Sequence, residues 1–391
     1  MTPPGEGAGR VPVLEDLPPL AGKSVLLRVD YNVPLAGGPD HSRVVDDYRI
    51  RMTLPTINWL VDHGATVTAC SHLGRPKGQV DPRYAMAPVR ARLAELAPGV
   101  ELLENLRFDP GEEANDPATV ARLVRGHDVY VNDAFGAAHR AHASIVGPPQ
   151  FLPSAAGRLL AREVEVLSSL LDQPARPFVA VVGGAKVADK LGVLRSLLSH
   201  VDRLVVGGGM SYTFLAALGH PIGASLFDAS KVAECRELLD GDVEILLPSD
   251  IVALSPDGKI NFGGNPEFEK TGTLEVVDRD IPEGFEGVDI GPVTRARYAA
   301  AIAEARTVLW NGPMGVFEDG RFAAGTRAVA EAVAASEAFS VVGGGDSVAA
   351  LEKFQITERI GHISTGGGAS LEFLERGDLP GLAALRAARR A

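Results

Sequence analysis

Apolar, strand-like runs in this chain stop at two kinds of residue, and the two imply different chemistries. In the first half the runs stop at cations: Arg28 in SVLLRVDYNVP, His72 and Arg75 in TVTACSHLGRP, Arg107 after VELLEN, and His139, Arg140 and His142 in NDAFGAAHRAH. Nearly all are arginines, and Lys23 and Lys77 are the only lysines before residue 173. A guanidinium grips carboxylate or phosphate oxygens with two parallel donors, so this grouping suits a small, highly charged anion. In the second half the runs stop at glycines: FVAVVGGAK, RLVVGGGM, TVLWNGPMG, FSVVGGGDS and HISTGGGAS. Glycine lets the backbone approach an anion closely, and the first amides of a following helix have no internal partner. Such turns suit the phosphates of a nucleotide. Both chemistries in one chain suit the movement of a phosphoryl group between two bound molecules.

Each glycine turn also has a plainer reading. STGGGASLEFLE (364–375) is either an anion cradle or a tight turn before a helix starting near Ala369. In VVGGAKVADK, Lys186 and Lys190 stand four apart, so a helix would put them on one face. They are either a phosphate-binding pair or a solvated lysine face. Asp346, after the glycines of VVGGGDSVAA, either caps a helix or holds a Mg²⁺ that bridges phosphates. WNGPMGVFE places Asn311 and Glu318 around another strand end. A P-loop is absent, because GKS at 22–24 has Leu17 where the required glycine would stand, and no GxGxxG follows a strand. His139 and His142 are three apart, but no acid or thiol at metal-site spacing accompanies them.

The elements that must carry these residues alternate between β-branched runs and helical stretches. Helices are predicted over 49–64, 87–97 and 154–173, and QPARP (173–177) breaks the last of them. The alternation resumes at Phe178, with helices predicted over 185–199, 211–218, 293–305, 323–336 and 346–354. Residues 255–285 are polar, Gly-rich and without a readable pattern. The predicted fold class is α/β: two Rossmann-like doubly wound parallel-sheet domains joined by a hinge helix, with a ligand cleft between them. The expected division is a disordered extension (1–10), an anion-binding domain (11–172), a nucleotide-binding domain (173–370) and a C-terminal segment (371–391) packing back on the first domain.

The 391 residues carry a net charge of −12, which argues against nucleic acid or an anionic membrane as partner. Residues 1–172 hold 17 Lys and Arg against 21 Asp and Glu, and the remainder 21 against 29, so any basic site is a local cluster. The two cysteines, Cys70 and Cys235, lie far apart, and the N-terminus lacks an apolar signal region. A cytoplasmic setting is expected.

Taken in order, RVDYNVP, DDYRIR, SHLGRPKG, LENLRF, NDAFGAAHRAH, GGAKVADK, GGGM, WNGPMGVFE, GGGDS and STGGGASLEFL closely resemble phosphoglycerate kinase from about residue 14 nearly to the C-terminus. The resemblance implies transfer of the acyl phosphate of 1,3-bisphosphoglycerate to ADP, giving 3-phosphoglycerate and ATP, with Mg²⁺ carried as Mg-ADP or Mg-ATP. It implies a substrate site of Asp30, Tyr31, Asn32, Arg49, His72, Leu73, Gly74, Arg75, Arg107 and Arg140. It implies a nucleotide site of Gly184, Ala185, Lys190, Gly207, Gly208, Gly287, Asn311, Glu318, Gly344, Gly345, Asp346 and Ser347, with Asp346 at the metal and Glu318 at the ribose. Arg49, Lys186 and the helix start at Gly367 and Gly368 would surround the transferring group. The family also suggests a monomer. Two departures stand out: Tyr31 replaces the usual Phe, and residues 255–285 match poorly, which leaves Gly287 the least supported assignment.

Overall fold

The computed structural model of the protein describes residues 10–37, 42–262 and 265–388. The chain divides into two compact units. One runs to Ser168 and resumes at Gly368; the other is Ser169–Gly367. Of the N-terminal stretch expected to be disordered, residues 1–9 lie outside the described residues, and Arg10 is fixed against Asp16 at 2.7 Å.

The first unit is built on strands β1 (Ser24–Arg28), β2 (Leu35–Ala36), β3 (Arg43–Val44), β4 (Thr66–Cys70), β5 (Glu101–Leu102), β6 (Val129–Asn132) and β7 (Ser154–Ala156). Its main sheet has the order β5-β4-β1-β6-β7 and is parallel throughout, while β2 and β3 form a separate antiparallel ribbon. Val25 sits opposite Val67 on one side and Val129 on the other. These apolar runs are buried on both faces, as strands of a parallel sheet covered by helices must be.

Two predicted helices in this unit are corrected. Residues 49–64 form two helices, Tyr48–Arg51 and Leu54–Asp62. Pro55 opens the second; it offers no N–H, and its ring would crowd the carbonyl four residues back, so the first helix cannot run through it. The stretch 154–173 begins as β7, and the helix is Arg158–Asp172. Gly157 separates the two, at a point where a Cβ would lie 2.3 Å from Asp133 Oδ1.

The second unit carries β8 (Phe178–Val182), β9 (Arg203–Val206), β10 (Glu244–Leu246), β11 (Ile251–Leu254), β12 (Leu274–Val277), β13 (Glu286–Ile290), β14 (Thr307–Asn311), β15 (Phe339–Gly343) and β16 (His362–Ile363). The order β10-β9-β8-β14-β15-β16 is again all parallel. Its core packs around the buried Trp310, whose Nε1 donates to Gly312 O at 2.8 Å. Residues 255–285 are not irregular throughout: β12 pairs antiparallel with β11, which pairs with β13. The signal was weak because β12 is mostly exposed, Leu274 and Val276 included.

In both parallel sheets the strand order reverses once, between β1 and β6 and between β8 and β14. Open α/β sheets bind ligands beyond the carboxyl ends of the strands at such a reversal. Asp30 follows β1, and Gly183 and Gly312 follow β8 and β14. The C-terminal residues belong to the first unit: Gly381 N donates to Ala138 O at 2.9 Å, and Phe373 meets Phe135 edge-on.

Candidate functional site

In the first unit, polar groups converge past β1 and β4. Arg49, on the helix Tyr48–Arg51, donates from Nη1 to Asp30 Oδ2 at 2.6 Å. Asn32 N donates to Asp30 Oδ1 at 3.2 Å, and Asn32 Oδ1 accepts from Gly74 N at 2.9 Å. The Gly74 carbonyl in turn accepts from Arg107 Nη1 at 2.8 Å. Gly74 thus ties three segments together, and it must be glycine: its φ is +60°, and a Cβ would lie 2.2 Å from the Tyr84 ring. Burial alone would raise the Asp30 carboxyl, yet the Arg49 and Arg28 guanidiniums and the Asn32 amide beside it hold it below the ordinary carboxylate range. Burial, reinforced by Arg28, pushes the His72 imidazolium pKa down to about 3, so the ring is neutral.

The basic strand ends are not one set of unpaired cations. Arg28 is 1% exposed and turned inward, donating to Ser144 Oγ and meeting His72 Nδ1. Arg107 lies 3.2 Å from Glu113. Arg75 and Arg140 differ: both are exposed, and neither side chain makes a hydrogen bond or ion pair with another described residue. Tyr31 and Leu73 turn their side chains into the core. The extra hydroxyl of Tyr31 is absorbed there by Thr53 Oγ1 at 2.7 Å.

In the second unit the glycine turns pack backbone against backbone. Gly183 N donates to Asn311 O, Gly184 N to Pro313 O and Gly208 N to Met314 O, at 2.9, 2.9 and 3.0 Å. Gly208 has φ +67°, and a Cβ on it would lie 2.7 Å from Gly184 N. Lys190 closes this group, donating from Nζ to Gly183 O at 2.6 Å, Asn311 O at 3.2 Å and Asn311 Oδ1 at 2.8 Å. Burial pushes its ammonium pKa down to about 8, against the pull of Asp346 and Asp189. Ser347 Oγ accepts from Gly312 N at 2.6 Å, so this hydroxyl braces the turn rather than facing outward.

The family model for phosphoglycerate kinase (PGK) matches residues 14–101 and 97–377. The chain belongs to the phosphoglycerate kinase family. A phosphoglycerate kinase of Rubrobacter xylanophilus is 52% identical over 390 residues, covering 94% of this chain and 96% of that protein. One from Moorella thermoacetica is 50% identical over 401 residues, covering 95% and 98%. Among solved structures, the phosphoglycerate kinase from Coxiella burnetii matches with a TM-score of 0.85 and 38% identity, covering 98% of this chain and 100% of that one. The enzyme from Pyrococcus horikoshii OT3 gives 0.81 and 32%, covering 97% and 99%. The protein is therefore an enzyme of the phosphoglycerate kinase type, a glycolytic kinase.

Against this phosphoglycerate kinase frame, several sequence expectations shift. Lys186 and Lys190 do not share a helix face: Lys186 precedes the 3-10 turn Ala188–Lys190 and is exposed, while Lys190 folds back on the strand ends. The helix predicted over 185–199 is shortened to Leu191–Leu198, because the glycine turn uses the residues before it. Asp346 caps nothing; it is exposed in the first turn of Gly345–Phe354, whose cap is Gly344. Ala185 and Gly345 are exposed, and space is open around the Gly345, Gly367 and Gly368 α-carbons. Gly207 packs against Met314, and Gly344, with φ +92°, lies against Asn311. Glu318 is exposed, its backbone held by Lys353 Nζ at 3.1 Å. Gly287 stands on the antiparallel sheet, with Tyr212, in the first turn of the helix Met210–Ala217, filling the place of a Cβ. Sequence reasoning missed Glu112 and Ser144, which are fully buried beside Arg28. Their only sequence signal is an acid and a hydroxyl next to strong motifs. Among the described residues no helix is long and apolar enough to cross a membrane, and no cluster of three metal-ligating side chains occurs.

Proposed function

We propose that this enzyme transfers the acyl phosphate of 1,3-bisphosphoglycerate to ADP, reversibly, by Mg²⁺-dependent in-line displacement. One observation carries the reading. The side chains of Arg75, Arg140, Lys186 and Asp346 are exposed and make no hydrogen bond or ion pair with another described residue. Other arginines do find acids, as Arg83 finds Asp81 and Arg92 finds Asp47. Charged groups left free at strand ends of a phosphoryl-transfer family are the ones available to ligands.

In this reading Arg75 and Arg140, with Arg107 and His72, hold the acid, and Asp30 orients Arg49 towards the transferring group. Gly183–Ala185, Gly207–Gly208 and Gly344–Ser347 form the bed of the nucleotide, and Lys190 and Asn311 keep that bed rigid. The carboxylate of the acid is already a good nucleophile and leaving group, so no general base is required. Catalysis is positioning plus neutralisation of charge on the equatorial oxygens. Arg49, Lys186 and the amides at Gly367 and Gly368 supply that charge. Asp346 presents one hard carboxylate that makes no hydrogen bond or ion pair with another described residue, which fits Mg²⁺, an ion that takes few protein carboxylates and keeps phosphate and water ligands. When bound there it would neutralise nucleotide phosphate charge. The acid and the nucleotide bind to different units in this reading, so productive transfer requires domain closure, which also keeps water from the acyl phosphate. The protein acts as a cytoplasmic monomer.

A coupled assay with ADP, 1,3-bisphosphoglycerate and Mg²⁺ tests the proposal. ATP formation that stops on chelation is expected; no Mg²⁺-dependent turnover overturns it.

A further inference from the structure

Behind the first unit's site runs a buried polar chain. Glu112 and Ser144 are fully buried, Arg28 is 1% exposed and His72 is 6% exposed. Arginine has donors only, so each of its contacts assigns the partner's role. Arg28 Nε donates to Ser144 Oγ at 2.9 Å, and Nη2 donates to His72 Nδ1 at 3.2 Å. Ser144 passes its own hydroxyl proton to Glu112 Oε1 at 2.6 Å, and its backbone N–H bonds Oε2 at 2.9 Å. Both carboxylate oxygens are thereby used, and one hydroxyl links the buried anion to the buried guanidinium. Tyr130, donating to Ser144 O at 2.7 Å, fixes the serine backbone. His142 Nδ1, 3.8 Å from Glu112 Oε1, is too far for a hydrogen bond. Asp30, which pairs with Arg49, lies 4.0 Å from the same Nδ1, beyond hydrogen-bond reach.

We propose that Glu112 is a positioning residue for the substrate acid, acting through Ser144 and Arg28 to hold His72 with Nδ1 as acceptor and Nε2–H as donor. The inference rests on the reading that His72 binds the acid. Without Arg28 in place, the neutral ring is free to carry its proton on Nδ1 and face Asp30. Nε2 would then be an acceptor, the wrong polarity for an anion. The carboxylate at the far end of the chain keeps the guanidinium where it is, since a buried cation needs both a counter-charge and saturated donors.

The test uses the full-length enzyme with Ser144→Ala, which removes only the linking hydroxyl, and Glu112→Gln, which removes the charge. Each should raise KM for 3-phosphoglycerate roughly tenfold while kcat and the nucleotide KM stay within about twofold. Long-range ¹H–¹⁵N spectra should show His72 protonated at Nε2 in the parent and an Nδ1–H population in the variants. Adding Ser144→Ala to His72→Ala should raise KM no further, because the two act as one unit. An unchanged His72 spectrum in Ser144→Ala, or a KM effect additive with His72→Ala, overturns the proposal. If His72→Ala alone leaves KM for the acid unchanged, the binding role of His72 falls, and the tautomer spectra still decide whether Glu112 orients the ring.

Discussion

In the proposed reading the two units solve anion recognition in opposite ways. In the first, side chains do the work: Arg75 and Arg140 are left free, and Arg49, His72 and Arg107 are held by Asp30, Arg28 and Gly74. In the second, the backbone does it, and side chains are excluded. Gly183, Gly184 and Gly208 lie so close to the Asn311–Met314 turn or to one another that a Cβ on Gly183 or Gly208 would strike backbone. Truncating a side chain should therefore injure the first site, and adding one should injure the second. The exceptions are informative. Lys186 and Asp346 are exposed charges of the glycine-rich unit whose side chains make no hydrogen bond or ion pair with another described residue, and the proposal assigns them to the transferring group and the metal rather than to holding the nucleotide.

The largest effect expected from this contrast lies at Lys186. Lys186→Ala should lower kcat about a thousandfold with both KM values within about threefold, because the charge is needed when the phosphoryl group is in flight. Steady-state kinetics decides; a raised KM at constant kcat would make Lys186 an ordinary binding group. A smaller effect separates the buried carboxylates of the two units by pH. Burial pushes the Asp289 carboxyl of the second unit up to about 7, despite hydrogen bonds from Gly325 and Ile290 and the nearby Arg295. A raised folded-state value means its stabilisation is fully present below about pH 4 and is lost as pH rises towards 7. Asp30, held low, behaves in reverse, contributing above about pH 4 and losing its contribution in acid. Denaturation of Asp289→Asn across pH 4 to 7 should show a slope flatter by about 1–3 kcal/mol than the parent; an unchanged slope refutes the assignment. The smallest effect is at Tyr31. Tyr31→Phe loses the bond to Thr53 and should cost about 1 kcal/mol in stability, with KM for the acid unchanged. A changed KM would place the hydroxyl in the site.

Most of the architecture was legible because parallel strands buried on both faces are unbroken apolar runs, bounded by polar residues in the first unit and by glycines in the second. The misreadings have local causes. Pro55 split a helix whose apolar pattern continued across it, and Ser154–Ala156 are too small and neutral to distinguish strand from helix. β12 hid because its outward residues carry no alternation. For the site, residue types and order singled out cations that the structure leaves exposed, Arg75, Arg140 and Lys186, but direction was not readable. Nothing in RVDYN says that Arg28 points inward while Asp30 faces Arg49, and nothing in GGAKVADK says that Lys190 doubles back to the Asn311 carbonyl. Those directions are set by partners more than a hundred residues away in two of the three cases.

Binding of each ligand alone to Arg75→Ala and Gly208→Ala tests the division of labour most directly. By calorimetry, Arg75→Ala should weaken 3-phosphoglycerate roughly tenfold or more and leave ADP within about twofold. Gly208→Ala, strained at φ +67° and pressed against Gly184, should do the reverse. Each variant weakening both ligands alike would contradict the account.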